Sequence, residues 1–306
     1  MDLFLKKIWL KIFDKDEYYK KKYDQLQKNK EQIYKNKVEF FLQKIDNSLK
    51  SKEEISFLHS GHLGDIINSL PLIKEISKTK KCNYFVQSEK KIPIHAQNKS
   101  HPFGEFYLSK NSVEMILPLL KKQSYLNSVE KFKNQEIDVN LDLFRDLPIN
   151  FNLDSVRWYF HLTGFHYNLN EPYIETDNHK FVKDKVVITR SARRKNFLIN
   201  YKFLSNFRDL IFLGLKNEYL DLKKEVPNLE FYDCKDFLEM AEIIKNSKVF
   251  IGNLSFGYAL AEGLKVPRLL ESNPEFPLVY PNGGRGYDFY FQNHFEMLFK
   301  KLYKYK

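Results

Sequence analysis

From Ile55 onward the chain alternates short apolar runs with stretches of helical period. Ile55-Ser56-Phe57-Leu58-His59-Ser60 is a strand-length run. A glycine turn follows, Gly61-His62-Leu63-Gly64-Asp65, and then apolar positions recur at helical spacing from Ile66 to Ile76. Strand, glycine turn and helix in that order open a parallel α/β unit. The same patterning predicts strands at 83–87, 105–108 and 137–141 and helices at 113–120 and 155–163. Residues 166–182 are polar, contain Pro172, and read as a connector. A second alternation starts at Lys185-Val186-Val187-Ile188-Thr189. It predicts strands at 210–213, 229–232, 249–251 and 268–271. Helices are expected near 216–225, 236–246 and 256–264, and over the tail at 289–305.

Residues 1–52 differ from all this. They contain 14 Lys and 8 Asp or Glu, and neither Pro nor Gly. Helix formers dominate, so the stretch reads as helical. Leu3, Phe4, Ile8, Trp9, Ile12 and Phe13 recur at helical spacing among lysines. That pattern suits a helix over residues 1–13 lying on an anionic membrane face, or one packed on the protein's own body. The expected organisation is a basic helical extension (1–52), a first α/β domain (53–170) and a second (171–306). A length of 306 residues accommodates two domains.

The formal charge of +11 attracts anions without choosing among phosphorylated small molecules, nucleic acid and anionic lipid. Cys82 and Cys234, alone and far apart, suggest reduced thiols in a cytoplasmic protein. No apolar run reaches the ~20 residues of a membrane span, and Lys6, Lys7 and Lys11 argue against a signal peptide. His59, His62, His95 and His101 lack zinc spacing. Asp14-Lys15-Asp16 sits in the charged helical start, so no divalent metal or other cofactor is expected. A Gly-x-Ser-x-Gly elbow is absent too, which argues against an α/β-hydrolase.

Four motifs carry candidate chemistry. The turn 61–65 brings backbone N–H groups to a sheet's carboxyl edge, where ligands bind in open α/β folds. It lacks the nucleotide-triphosphate lysine and the third glycine of the dinucleotide fingerprint. Asp65 there is either a helix cap or a functional carboxylate. The second motif is Asp142-Leu143-Phe144-Arg145, at the end of a predicted strand. The third is Arg190-Ser191-Ala192-Arg193-Arg194-Lys195-Asn196, four cations directly after a buried strand; it is a phosphate site or a solvated charge run. The fourth is Ile251-Gly252-Asn253-Leu254-Ser255-Phe256-Gly257, a strand meeting a Gly-Asn turn and then a helix. That helix leads past Glu262 to Gly263-Leu264-Lys265-Val266-Pro267, and its free N–H groups could hold a diphosphate. Pro281-Asn282-Gly283-Gly284-Arg285-Gly286 is a further loop facing either the site or only the last helix.

The run from Gly61 through Asp65 to Pro71 and Lys74, together with the Gly252-Asn253-x-Ser255 turn, resembles the heptosyltransferase-like enzymes of glycosyltransferase family 9. The resemblance covers about residues 55–305. It implies the GT-B fold: two Rossmann-like domains whose parallel sheets face each other across a cleft, with the last helix returning to the first domain. It also implies an inverting, metal-independent transfer of sugar from a nucleotide-diphosphate donor to a glycan or lipid-linked glycan, as in surface polysaccharide synthesis. By the same resemblance Asp65 is the catalytic base. Arg190, Arg194, Lys195, Gly252, Asn253, Ser255, Phe256, Gly257 and Glu262 are donor residues, and His62, Gly64, Asp142 and Arg145 serve the acceptor. Leu254 and Ala259 depart from the family, which has an acidic residue and a histidine at those places. The departure leaves open a changed donor, or a non-catalytic nucleotide-sugar or glycan-binding protein. Nucleic acid is not an expected partner, because no recognition helix or aromatic platform accompanies the charge.

Overall fold

The computed structural model describes residues 3–93, 104–147, 153–273, 275 and 279–304. His95 and His101 lie outside them. The chain opens with α1 (Leu3–Phe13) and α2 (Lys15–Ile33), joined at Asp14, whose carboxylate caps α2 by accepting from Glu17 N–H at 3.1 Å. A π-helical segment, Tyr34–Val38, continues into α3 (Glu39–Ser51). No side chain of α2 is buried, whereas α3 buries Ile45 and Leu49.

The first sheet consists of β1 (Glu54–His59), β2 (Lys81–Val86), β3 (Ser128–Lys131) and β4 (Val139–Asn140). Its strands are parallel and ordered β3-β2-β1-β4. Its helices are α4 (Leu63–Ile76), α5 (Lys110–Lys121), α6 (Leu143–Asp146) and α7 (Ser155–Thr163). The strand expected at 105–108 reduces to a single antiparallel bridge between Lys91 and Phe106. The polar run at Ser128–Lys131, which carries too little apolar signal to read as a strand, fills the edge instead.

The second sheet holds β5 (Val186–Thr189), β6 (Leu210–Phe212), β7 (Glu230–Phe231), β8 (Val249–Asn253), β9 (Arg268–Glu271) and β10 (Gly286–Phe289). All are parallel, in the order β10-β9-β8-β5-β6-β7. The helices α8 (Lys216–Lys223), α9 (Phe237–Lys245), α10 (Phe256–Leu264) and α11 (Gln292–Lys304) complete it. Counted from β5, this is the doubly wound order in which the strand sequence reverses between the first and fourth strands. The first sheet reverses in the same way between β1 and β4. Ligands of such sheets sit beyond the carboxyl ends at that reversal. The fold thus singles out the segments after β1 and β4 and after β5 and β8.

One apolar core crosses between the two sheets. Ile66, Ile67 and Leu70 of α4 and Leu119 and Leu120 of α5 join Ile243 and Ile244 of α9 and Leu260 and Ala261 of α10 in one buried cluster. The connector seals the join: Tyr173 and Ile174 donate backbone N–H to Gly263 O at 2.9 and 3.2 Å. A Cβ on Gly263 would fall 2.4 Å from Ile174 Cδ1.

The last helix does not return to the first sheet. Phe295, Phe299 and Leu302 of α11 are buried against Val186, Ile188, Tyr201 and Leu269, on the outer side of the second sheet. The aromatic stripe of α11 matches a hollow lined by Tyr201, Phe203 and Phe207, and Phe289 stacks on Phe295 at 4.1 Å. The tail helix therefore starts at Gln292, because Gly286–Phe289 is a strand paired with β9.

Candidate functional site

Beyond β1 the chain turns through Ser60 and Gly61 into α4. His62 is the N-cap of that helix, and Asp65 sits in its first turn. Asp65 is not a cap: its Oδ2 is ion-paired with Arg145 Nη2. Arg145 Nη1 is in turn paired with Asp142 Oδ1. Asp142 lies at the end of β4, only 1% exposed, and accepts from Ser60 N–H at 2.6 Å and from Ser60 Oγ. Burial alone would raise its carboxyl pKa. The Arg145 guanidinium and the Ser60 hydrogen bonds oppose that, and the carboxyl stays below the ordinary range. The reversal point of the first sheet thus carries a chain of charges, Asp142–Arg145–Asp65, that ends in a carboxylate with 19% side-chain exposure. Oδ1 of Asp65 takes no hydrogen bond among the described residues.

Two features lock this chain. The Arg145 guanidinium lies between the Phe144 ring, 4.4 Å away, and the Tyr107 ring, 5.0 Å away. It also packs against Gly61, where a Cβ would meet Nη2 at 2.4 Å and Nη1 at 2.6 Å. Gly61 is therefore required as the seat of a guanidinium. Gly64 is different: a Cβ there would meet nothing within 4 Å, so this side of the turn is open to an incoming molecule.

His59 supports the turn from below. Its Nδ1 accepts from Gly61 N–H at 2.9 Å, so its proton is on Nε2, which contacts Tyr159 Oη at 3.1 Å. Tyr159 Oη donates onward to Asp65 O at 3.0 Å. Burial drives the His59 pKa down to about 4, so the ring is neutral at physiological pH. Its 3.5 Å approach to Asp142 is then proximity rather than an ion pair.

Beyond β5 the basic loop is anchored to the β8–α10 turn. Ser191 N–H donates to Asn253 Oδ1 and Asn253 Nδ2 to Ser191 O, both at 2.8 Å. Asn253 is fully buried, and this reciprocal pair consumes its amide. Ser255 Oγ donates to Asn253 O at 3.0 Å and does not cap α10. The first bond of α10 runs from Ala259 N–H to Ser255 O. The N–H groups of Phe256, Gly257 and Tyr258 are left for an outside acceptor. Beneath them lies Thr189, whose buried Oγ1 has no hydrogen-bond partner among the described residues. That oxygen stands 2.7 Å from a Cβ built on Gly257 and 2.8 Å from one on Gly252, so only glycine fits at either place.

The four cations of the loop have different surroundings. Arg190 is 3% exposed and bound to Glu271, Nε to Oε2 at 2.7 Å and Nη2 to Oε1 at 3.0 Å. Tyr201 and the Asn196 N–H also hold Glu271, and Arg190 lies over the Tyr201 ring. The expectation that Arg190 binds donor phosphate gives way to a buried ion pair that fixes the loop base, because a fully buried Glu271 needs a countercharge. Lys195 pairs with Asp221. Arg193 and Arg194 are half-buried. Burial depresses the pKa of both guanidiniums; Glu218 opposes this for Arg193 and Asp65 for Arg194. The Nε of Arg193 is buried without a hydrogen-bond partner among the described residues.

The two loops meet. Burial pushes the His62 pKa down to about 4, and the charges of Arg145, Arg193 and Arg194 push it the same way. Asp65 in turn is the carboxylate acting on Arg194. The turn after β1 and the loop after β5 therefore share one electrostatic environment, above the contact between α4 and α10. Glu262 is not part of it. It is buried and bonded to Arg268 Nε at 2.5 Å, to Lys265 and to Asn282 N–H at 3.0 Å, so the donor role expected of it gives way to a buried structural one. The loop from Pro281 leads straight into β10, with Gly283 seated on Asn170 O.

Residue reading missed Thr189 and gave Arg193 no role. An apolar run ending in threonine, followed by two consecutive arginines, was the signal available for both. Among the described residues no cluster of three His, Cys, Asp or Glu could hold a metal ion, and no helix is long and apolar enough to cross a membrane. Two surface hollows of about 460 and 480 Å³ lie elsewhere, one beside His179 and Lys245 and one on α11.

The sequence matches no protein-family model and no curated protein. The fold matches solved structures. One is a family 9 glycosyltransferase from Veillonella parvula, with TM-score 0.54 and 12% identity over 83% of this chain and 90% of that one. Another is the ADP-heptose lipopolysaccharide heptosyltransferase II of E. coli, with TM-score 0.50 and 10% identity over 82% and 98%. The α/β architecture of two parallel sheets is the one those glycosyltransferases have.

Proposed function

We propose that this chain is an inverting, metal-independent glycosyltransferase that moves a sugar from a nucleotide-diphosphate donor to a hydroxyl of a glycan or lipid-linked glycan. Residues 53–170 serve as the acceptor domain and 171–306 as the donor domain, with the cleft between them opening at the paired loops. One observation carries the reading. A carboxylate, Asp65, and a half-buried guanidinium, Arg194, act on each other from the loops after β1 and β5, where two parallel sheets both reverse their strand order.

In this mechanism Asp65 Oδ1 takes the proton of the acceptor hydroxyl. The freed oxygen pair attacks the anomeric carbon from the face opposite the diphosphate. The glycosidic C–O bond breaks, and its electrons leave on the phosphate oxygen. Arg193, Arg194, the Thr189 hydroxyl and the N–H groups of Phe256 and Gly257 receive that charge. Arg145 and Asp142 orient Asp65. The open side of Gly64, next to His62, admits the acceptor. Lys195, Gly252, Asn253 and Ser255 shape the donor loop.

Thermal-shift screening with ADP-, UDP-, GDP- and CMP-linked sugars identifies the donor, because a ligand stabilises the state that binds it. Asp65→Asn is then expected to lower transfer about 10²–10⁴-fold with the donor Kd unchanged. Transfer at the parent rate refutes the base. A second reading, a non-catalytic nucleotide-sugar or glycan binder, has Leu254 and Ala259 in its favour. It predicts the thermal shift with no turnover on any acceptor.

A further inference from the structure

Large exposed apolar side chains are concentrated at one end of this molecule. Leu5, Ile8, Trp9, Ile12, Phe13, Tyr19, Tyr23, Leu26, Ile33, Tyr34, Phe40 and Phe41 are 12 of the 21 among the described residues, all within the first 41 positions. On α1 they form a face. At about 100° per residue, Leu5, Ile8, Trp9, Ile12 and Phe13 fall within an arc of about 140°, with Lys7 and Lys11 on the opposite side. Trp9 is 51% exposed and Phe13 70%, and their rings lie together 5.7 Å apart. The segment contains no acidic residue. Leu10, by contrast, is buried, and its carbonyl accepts from Asp14 N–H, so α1 is tied to the start of α2. α2 buries no side chain, and its 19 residues span about 28 Å.

We propose that α1 is an interfacial anchor for an anionic lipid surface, lying in the headgroup plane with Trp9, Ile12 and Phe13 inserted. This holds whether or not the sugar chemistry above is correct. Charge decides between lipid and a second copy of the chain. Residues 1–52 carry 14 Lys against 8 acids, so two such arms repel each other while an anionic surface attracts them. An aromatic pair beside lysines whose stems reach back to the headgroups is what an interfacial helix presents.

The test is flotation of the full chain with vesicles of phosphatidylcholine, with and without phosphatidylglycerol, alongside sedimentation to fix oligomeric state. The wild-type chain is expected to float with the anionic vesicles only, and less so in high salt. Trp9→Glu with Phe13→Glu is expected to lose about tenfold or more in binding while the thermal unfolding of the body is unchanged. Lys7→Glu with Lys11→Glu, which leaves the apolar face intact, is expected to abolish the preference for phosphatidylglycerol. Unaltered flotation of the Trp9/Phe13 variant overturns the proposal. So does a chain that ignores vesicles, whether it is a monomer or a dimer that the same variant dissociates.

Discussion

Replacing Gly61 by alanine tests the charge chain at its tightest point. The added methyl carbon would sit 2.4–2.7 Å from three atoms of the Arg145 guanidinium. A flexible side chain normally yields to such a contact at little cost. Here it cannot, because Asp142 and Asp65 hold its two ends and Phe144 and Tyr107 cover its faces. Displacing it leaves Asp142, which is 1% exposed, with only the Ser60 bonds and a distant Lys90. Removing one partner of a buried pair costs roughly 3–5 kcal/mol, and overpacking about 1–3. Relaxation of one into the other leaves an expected loss of about 3 kcal/mol for Gly61→Ala in urea unfolding at pH 7. The diagnostic is a double-mutant cycle. With Arg145→Ala already present the clash is gone, so Gly61→Ala is expected to cost under about 0.5 kcal/mol more. Equal costs in both backgrounds would show that the guanidinium is not what forbids a side chain at 61. Gly64→Ala is the control. It meets no neighbour and replaces glycine in a helix, so stability is expected to hold or rise by up to about 1 kcal/mol.

Other expectations follow from neighbouring residues. Arg190→Met orphans the fully buried Glu271 and should destabilise the fold by about 3–5 kcal/mol, read from the unfolding midpoint; an undiminished midpoint would return Arg190 to the donor. Arg193→Met and Arg194→Met should each weaken nucleotide-sugar binding about 10–100-fold by calorimetry while leaving the midpoint near wild type. His59 and His62 have folded-state pKa values of about 4 against 6.5 unfolded. The unfolded chain therefore binds more protons between those values, and their contribution is full above pH 6.5 and lost as pH falls through 4. Asp154, raised to about 6 by burial, acts oppositely: its contribution is present below pH 3.8 and lost as pH rises through 6. Two groups against one predict net loss between pH 6.5 and 5. In His59→Gln that slope should shrink in urea melts.

Much of this architecture is written in local patterning. The runs at Val186–Thr189 and Val249–Asn253 are buried on both faces, as is Glu54–His59 over its last three residues, so their apolar density marks them as central parallel strands. Arg268–Glu271 and α10 fall where periodicity puts them. Edge strands are harder to read. Ser128–Lys131 is half exposed and polar, and Gly286–Phe289 reads as turn followed by helix until β9 offers it a partner. At the site, residue type identified Asp65, Asp142 and Arg145 as candidates but not that they form one chain. That pairing spans 80 positions and exists only because β4 lies beside β1. Four consecutive-looking cations were indistinguishable on paper. Burial separates them: Arg190 neutralises Glu271, Lys195 answers Asp221, and Arg193 and Arg194 sit half-buried near the turn after β1. Glu262 was misread because its partner Arg268 is not on the same helix but on β9, which only the fold brings beside α10.

The shared core beneath the paired loops has a mechanical consequence. To swing the sheets apart, α4 would have to leave α10 and α5 leave α9, wetting Ile66, Leu70, Ile244 and Leu260 together. At about 25 cal/mol per Å² of apolar area, even a few hundred Å² of such exposure exceeds thermal energy many times over. A clamshell stroke is thus closed to this molecule. Reactants would enter and leave by rearranging the rim, and the geometry of the charged groups would be set at folding rather than on binding.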